Sequence, residues 1–410
     1  MTPRRVTFNR QISPRPIGLH LWLAATVTTS SLSGLTALRN GWPGWKDADA
    51  RALRADIKTV DFGELAATVR RQSSLDFTRF LQGVTAYRAH PYRREAVQAE
   101  CIARYGTTRL QRFPAEGSAA RPGPPVLLVP SLINRAYILD LLLDVSLARY
   151  LARAGVETFL IEWAHPEGAE TDLTIADLLE ARLKPAIEAV AAQWGRPAVA
   201  GYCMGGLLAL ALAVHLPQAV AGLAVLATPW DFHAERPEQA RALAALTRTW
   251  FPALETLGCL PVDALQALFA INDPLAAFRK FQAFAQIDPE SDDARRFVAL
   301  EDWLNDGIAL PLPIARQTME DWYGENLTGR GEWSVGGRRI DPGMVTAPAL
   351  AIIPDQDRIV PQGSAMALAR HLPEAEIRVA RTGHIGMMAG RRAERETWQP
   401  LLIWRDSLDD

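Results

Sequence analysis

Gly201-Tyr202-Cys203-Met204-Gly205-Gly206 sets one thiol among glycines where an apolar run, PAVAGY (197–202), gives way to a helical pattern from about residue 204. A strand, a sharp turn and a helix in that order would lift the sulfur above a sheet. The glycines suit such a turn because side chains there would collide with the flanking strand and helix. The sulfur then stands at a helix N-terminus, where the helix dipole and unpaired N–H groups favour a thiolate. The Met204 N–H points to where an oxyanion forms when a thiolate attacks a carbonyl. The chemistry implied is acyl transfer with the thiol as nucleophile. A cysteine buried for packing at a Gly-rich helix start would spell the same letters, since Cys is among the most buried residue types.

Downstream residues separate the two readings. Asp355-Gln-Asp357-Arg-Ile-Val-Pro361 follows the apolar run PALAIIP (348–354), and Gly383-His384-Ile385-Gly386 follows EIRVAR (376–381). A carboxylate and a histidine on turns after late strands complete a nucleophile, an orienting acid and a base. The chain order Cys203, Asp357, His384 is that of the α/β-hydrolase fold and differs from both serine-protease orders. Asp355 competes with Asp357, which is preferred because it stands just before the Ile-Val-Pro turn. Among the other histidines only His165, in EWAHP, ends a strand, and it reads as a loop residue near the pocket.

The elements that must position these groups alternate. VLLVP (126–130), VETFLIEW (156–163), PAVAGY, GLAVLAT (222–228), PALAIIP and EIRVAR are short apolar runs separated by helical patterns. Such alternation argues for a mostly parallel sheet with helices on both faces. After TPWDF (228–232) comes a long, mostly helical stretch with Trp and Phe, where this fold carries a cap. The expected organisation is a helical N-terminal region over 1–115, the first half of an α/β core over 116–232, a helical cap over 233–340, and the second half of the core over 341–410. The segment 116–125 reads as a Gly/Pro linker.

Composition bounds the partners. The chain has 410 residues, 49% apolar content, 44 basic against 46 acidic residues and a net charge of -2. That is ample for a large core, and no basic stripe points to nucleic acid. Cys101, Cys203 and Cys259 are odd in number and far apart, which fits neither a zinc site nor a disulfide framework and does fit a reducing compartment. GLHLWLAATVTTSSLSGLTAL near the N-terminus is only moderately apolar and is expected as a helix lying on the protein or on a lipid-like surface, with packing on its own domain preferred.

Over about residues 120 to 405 the chain resembles the polyhydroxyalkanoate synthases, which polymerise 3-hydroxyacyl-CoA thioesters. The matching motifs are PSLINRAYILDL from Pro130, GYCMGG, TPWDF, the Trp303-Leu-Asn-Asp306 stretch followed by LPLP, DRIVP (357–361) and GHIG (383–386). The resemblance implies that Cys203 carries the acyl chain, that His384 is its base with Asp357 behind it, and that the Ile133 N–H joins the Met204 N–H in holding the oxyanion. It implies no cofactor and no metal, with acyl-CoA as substrate and the growing polyester as a partner. A homodimer or a second synthase subunit, a polyester granule surface and a cytoplasmic location follow from it as well. Arg358 stands where many members carry His. The alternative is a depolymerase of the same polyester, or another thioesterase, using the same triad; PSLINRAYILDL together with GYCMGG favours synthesis. A scaffolding relative without activity would not need the three residues in register.

Overall fold

The computed structural model describes residues 10–41, 48–94, 99–117 and 121–408. Residues 1–9 and residues 118–120 of the expected linker lie outside them. The chain divides into two compact units, one of residues 94–265 with 306–410 and one of residues 1–93 with 266–305.

The larger unit is built on one eight-stranded sheet. Its strands are β1 (Glu100–Tyr105), β2 (Thr108–Phe113), β3 (Val126–Val129), β4 (Thr158–Glu162), β5 (Ala198–Tyr202), β6 (Gly222–Leu226), β7 (Ala349–Pro354) and β8 (Glu376–Ala380), in the order β1-β2-β4-β3-β5-β6-β7-β8. From β4 through β8 every pairing is parallel. β3, β5, β6 and β7 are buried at every position. Strands covered by helices on both faces need continuous apolar runs rather than alternation. The helix Met204–His215, MGGLLALALAVH, is buried everywhere except His215, which is why it shows no amphipathic face in the sequence.

β1 and β2 correct the expectation of a wholly helical region up to residue 115. They form an antiparallel hairpin that joins the sheet through β2 and β4. Gly106 takes φ 60° at the turn, and the Thr107 N–H donates to Glu170 at 2.9 Å. The hairpin is Arg-rich because it sits at the edge: Arg112 pairs with Glu157 at 2.9 Å and Arg109 with Glu162 at 3.6 Å. Charged edge strands deter pairing with other chains and hide the strand signature. A minimal ribbon, Cys259–Leu260 against Leu310–Pro311, also appears in the stretch expected to be helical, and a second, Ser334–Val335 against Arg338–Arg339, falls in WSVGGRRI (333–340), where the helical pattern gives way to strand.

The smaller unit is helical: Ile17–Asn40, Ala48–Thr59, Phe62–Ala89, Ala276–Phe284 and Asp292–Asn305. The expected 233–340 insertion is therefore split, since 266–305 fall in the unit that holds the N-terminal helices. Phe80, Val84, Tyr87, Phe281, Phe284 and Val298 form its core. Gly83 is required there, because a β-carbon would overlap the Phe281 carbonyl. Arg10, almost fully buried, grips Asp302 with two bonds of 2.7 and 2.5 Å, and the Tyr87 hydroxyl donates to the same carboxylate at 2.9 Å. The helix Ile17–Asn40 lies along Phe62–Ala89, with Ala24 fully buried and Ser73 bonded to Ser31 at 2.9 Å. By length and composition alone the helical span Arg10–Asn40 that contains it is apolar enough to cross a membrane, a window of 18 residues having mean hydropathy 1.2, more than the sequence expectation allowed. Its hydroxyls fold back on the helix, as with Thr28 on the Ala24 carbonyl at 2.8 Å and Thr36 on Leu32 at 3.0 Å.

Candidate active site

Cys203 stands where β5 ends and the helix Met204–His215 begins, with φ 55° and ψ −127°. A non-glycine residue in that region costs about 1–3 kcal/mol and persists only where its surroundings enforce it. Here they do. The Cys203 N–H is held by the Leu226 carbonyl at the end of β6, and its carbonyl accepts from the Gly206 N–H, each at 2.9 Å. A β-carbon on Gly201 would overlap Gly205 and Gly206, one on Gly205 would meet the Val129 and Pro130 carbonyls, and one on Gly206 would run into Thr228. All three glycines of the motif are thus close-approach positions. Met204 is the first helical residue, so its N–H falls among the amides without an intrahelical partner.

His384 follows β8 and Asp357 follows β7, and the fold brings both to the thiol. His384 Nδ1 donates to Asp357 Oδ2 at 2.7 Å, and the other Asp357 oxygen accepts the Ile359 and Val360 N–H groups, each at 2.8 Å. That turn is the Ile-Val-Pro feature that singles out Asp357; Asp355 is exposed. Burial alone pulls the His384 pKa down. The charge of Cys203, the hydrogen bonds to Asp357 and Cys203, and the charge of Asp357 overcome it and push it up to about 10. An imidazole so placed favours its protonated form. The ring is only 7% exposed, which shields its contact with Asp357 from water.

Tyr202 was not singled out by the sequence reading. Its hydroxyl donates to the His384 carbonyl at 3.1 Å and its ring lies 5.1 Å from the imidazole, so it braces the base from below. Burial, then the charges of Cys203 and Asp357, drive its pKa well up and keep it a donor. As the middle letter of G-x-C it reads as the end of a buried strand, and only its hydroxyl hints at more.

Ile133 lies in the loop after β3. Its carbonyl accepts the Ile308 N–H at 2.7 Å and Asn134 bridges Gly307, so the loop is fixed by residues directly after the Trp303–Asp306 motif. Arg135 and Tyr137 both reach Asp306, at 3.6 and 3.3 Å. His165 is half-buried and its Nδ1 accepts from the Ala309 N–H at 3.4 Å. The remaining histidines, His20, His90, His215, His233 and His371, bond backbone carbonyls. Cys101 and Cys259 are free thiols, and burial raises the pKa of Cys259. Among the described residues no three His, Cys, Asp or Glu side chains converge as metal ligands.

Residues 124–390 match the family model of the alpha/beta hydrolase fold. The chain is 29% identical over 293 residues to a poly(3-hydroxyalkanoate) polymerase subunit of Haloferax mediterranei, covering 68% of this chain and 58% of that one. A subunit of the same name from Synechocystis is 29% identical over 292 residues, covering 68% and 77%. One from Allochromatium vinosum is 26% identical over 294 residues, covering 70% and 82%. Against the Haloferax relative, then, the chain spans less than two thirds of the other protein's length.

Proposed function

This chain belongs to the α/β-hydrolase fold family, and from that premise we propose that it is an acyltransferase that polymerises 3-hydroxyacyl groups from coenzyme A into a polyester, with Cys203 as the acyl carrier. The observation that carries the reading is a cysteine at the elbow turn, hydrogen-bonded to His384, whose far nitrogen Asp357 holds at 2.7 Å. The similarity to poly(3-hydroxyalkanoate) polymerases over 68% of the chain supports the substrate class.

The Cys203 thiolate attacks the thioester carbonyl of the acyl-CoA. The developing oxyanion accepts the Met204 N–H and the Ile133 N–H. Collapse breaks the bond to the CoA sulfur, which takes the proton held by His384, and the acyl group stays on Cys203. His384, now neutral, removes the proton of an acceptor hydroxyl. The oxygen attacks the Cys203 thioester, the ester forms, and the thiolate is returned beside the imidazolium. Exchange of one thioester for another is nearly isoenergetic, and a thiolate both attacks and leaves well, so the acyl group is not trapped on the enzyme. No cofactor or metal is needed for these steps. A cytoplasmic enzyme working at a polyester surface fits this chemistry, and the word subunit in the names of the relatives supports a second chain as partner.

Purified protein given 3-hydroxybutyryl-CoA, with free thiol and polymer followed together, tests the reading. The expected result is CoA release matched by insoluble polyester. CoA release with only soluble acid would assign a thioesterase instead, and soluble acid from added granules would assign a depolymerase.

A further inference from the structure

Residues 306–311, where the chain re-enters the larger unit, are fastened one after another. Asp306 receives the Arg135 guanidinium at 3.6 Å and the Tyr137 hydroxyl at 3.3 Å. Gly307 bridges Asn134, and the Ile308 N–H donates to the Ile133 carbonyl at 2.7 Å. The Ala309 N–H donates to His165 Nδ1 at 3.4 Å, and Leu310–Pro311 pair with Cys259–Leu260. Three successive residues, Asp306, Gly307 and Ile308, therefore clasp Ile133, Asn134, Arg135 and Tyr137. Gly307 has to be a glycine, since a β-carbon there would press on Val262 and on the Ile133 carbonyl. Tyr137 is steadied from its other side by the Arg94 guanidinium, 4.5 Å from the ring centroid.

The clasped loop begins beside the elbow. A β-carbon on Gly205, two residues after Cys203, would overlap the Pro130 carbonyl, so the chain leaves β3 against the start of the helix Met204–His215. Leu132 is buried in the main core. The peptide that bears the Ile133 N–H thus lies between an anchored side chain and a clasped carbonyl. The far end of the loop is fixed separately by buried Asp140, which accepts from Ser146 at 2.8 Å and from Arg149 at 2.7 Å.

Asp306 differs from Asp140 in its exposure. Its side chain is 26% exposed and that of Arg135 20%. An ion pair open to water adds little to stability. What Asp306 fixes is the lie of residues 306–308 along the loop. An oxyanion donor acts only at hydrogen-bond distance from the developing charge, so a small drift of the loop is costly to the reaction and cheap to the fold.

We propose that Asp306 is a positioning residue for acyl transfer: by holding Arg135 and Tyr137 it keeps residues 306–308 clasped on the loop after β3, and so aims the Ile133 N–H at the oxyanion. This assignment rests on the acyl-transfer function proposed above, with Ile133 as an oxyanion donor.

The test compares the full chain with its D306A and D306N variants by two readouts. Hydrogen–deuterium exchange reads the clasp itself. The peptide containing Ile308, whose N–H donates to Ile133, should exchange severalfold faster in D306A, while peptides of β5 and β6 keep the parent rate. Steady-state CoA release from 3-hydroxybutyryl-CoA reads the consequence. D306A should lose kcat on the order of 10–100-fold with KM nearly unchanged, and should melt close to the parent. D306N keeps an acceptor for Tyr137 and loses the charge facing Arg135, so its kcat should fall between the two; it carries the same test should D306A not fold. A loss carried by KM would mean that Asp306 binds substrate. Unchanged kcat, or unchanged exchange at Ile308, would mean that the clasp does not depend on it. Each of these overturns the assignment while acyl transfer stands. A parent that releases no CoA would overturn acyl transfer itself, and this assignment with it.

Discussion

His384 is held toward its protonated form against the pull of burial. The imidazole has an ordinary value of 6.5 and sits at about 10 in the folded chain, raised first by the neighbouring sulfur charge and then by Asp357. Between those values the unfolded chain releases the proton and the folded chain keeps it, so this contribution to stability is complete below pH 6.5 and is lost as pH rises toward 10. C203A removes the first of the raising causes while burial still opposes charge. The His384 resonance in 15N NMR should therefore titrate at lower pH in C203A, and the fall of melting temperature with alkaline pH should flatten. D357N leaves the base without its charge partner and in the wrong tautomer. Loss of kcat on the order of 10³–10⁴ with an unchanged fold is expected, read by CoA release and circular dichroism.

At the scale of elements, the elbow is held in a conformation that a β-carbon disfavours. C203G relieves that strain but adds freedom to the unfolded chain, two opposed terms of about 1–3 and 0.5–1 kcal/mol. The inactive variant should be more stable than the parent by about 1 kcal/mol in denaturant unfolding. G205A should do the opposite, losing about 1–3 kcal/mol, because its methyl has nowhere to go between the Val129 and Pro130 carbonyls. The elbow was legible because steric demand there is local: strand, Gly-x-Cys-x-Gly and helix are contiguous in the chain. Asp357 was legible through its turn, and His384 through its place after the last strand. β1 and β2 were not, since an edge hairpin of ECIARY and TRLQRF carries too many charges to read as strand. Tyr202 was hidden for a different reason. Its hydroxyl bonds the carbonyl of His384, 182 residues away in sequence, which no local spacing reports.

For the whole molecule, a helix's apolar face says that it needs a partner and not which one. Residues 266–305 read as part of an insertion between strands, yet they share a unit with the N-terminal helices through Phe281, Phe284 and Val298. The buried Arg10–Asp302 pair makes that unit sensitive to single changes. D302A leaves the Arg10 charge buried without its partner and should cost about 3–5 kcal/mol, whereas an apolar replacement of both residues should cost far less; calorimetry of the two variants compares them. In the proposed function, the chemistry of the larger unit turns on one covalent bond. Mass spectrometry of the protein quenched during turnover of 3-hydroxybutyryl-CoA should find the acyl group on the peptide bearing Cys203 and not in C203A. Turnover with Cys203 unmodified, or with the acyl group on another residue, would contradict the account.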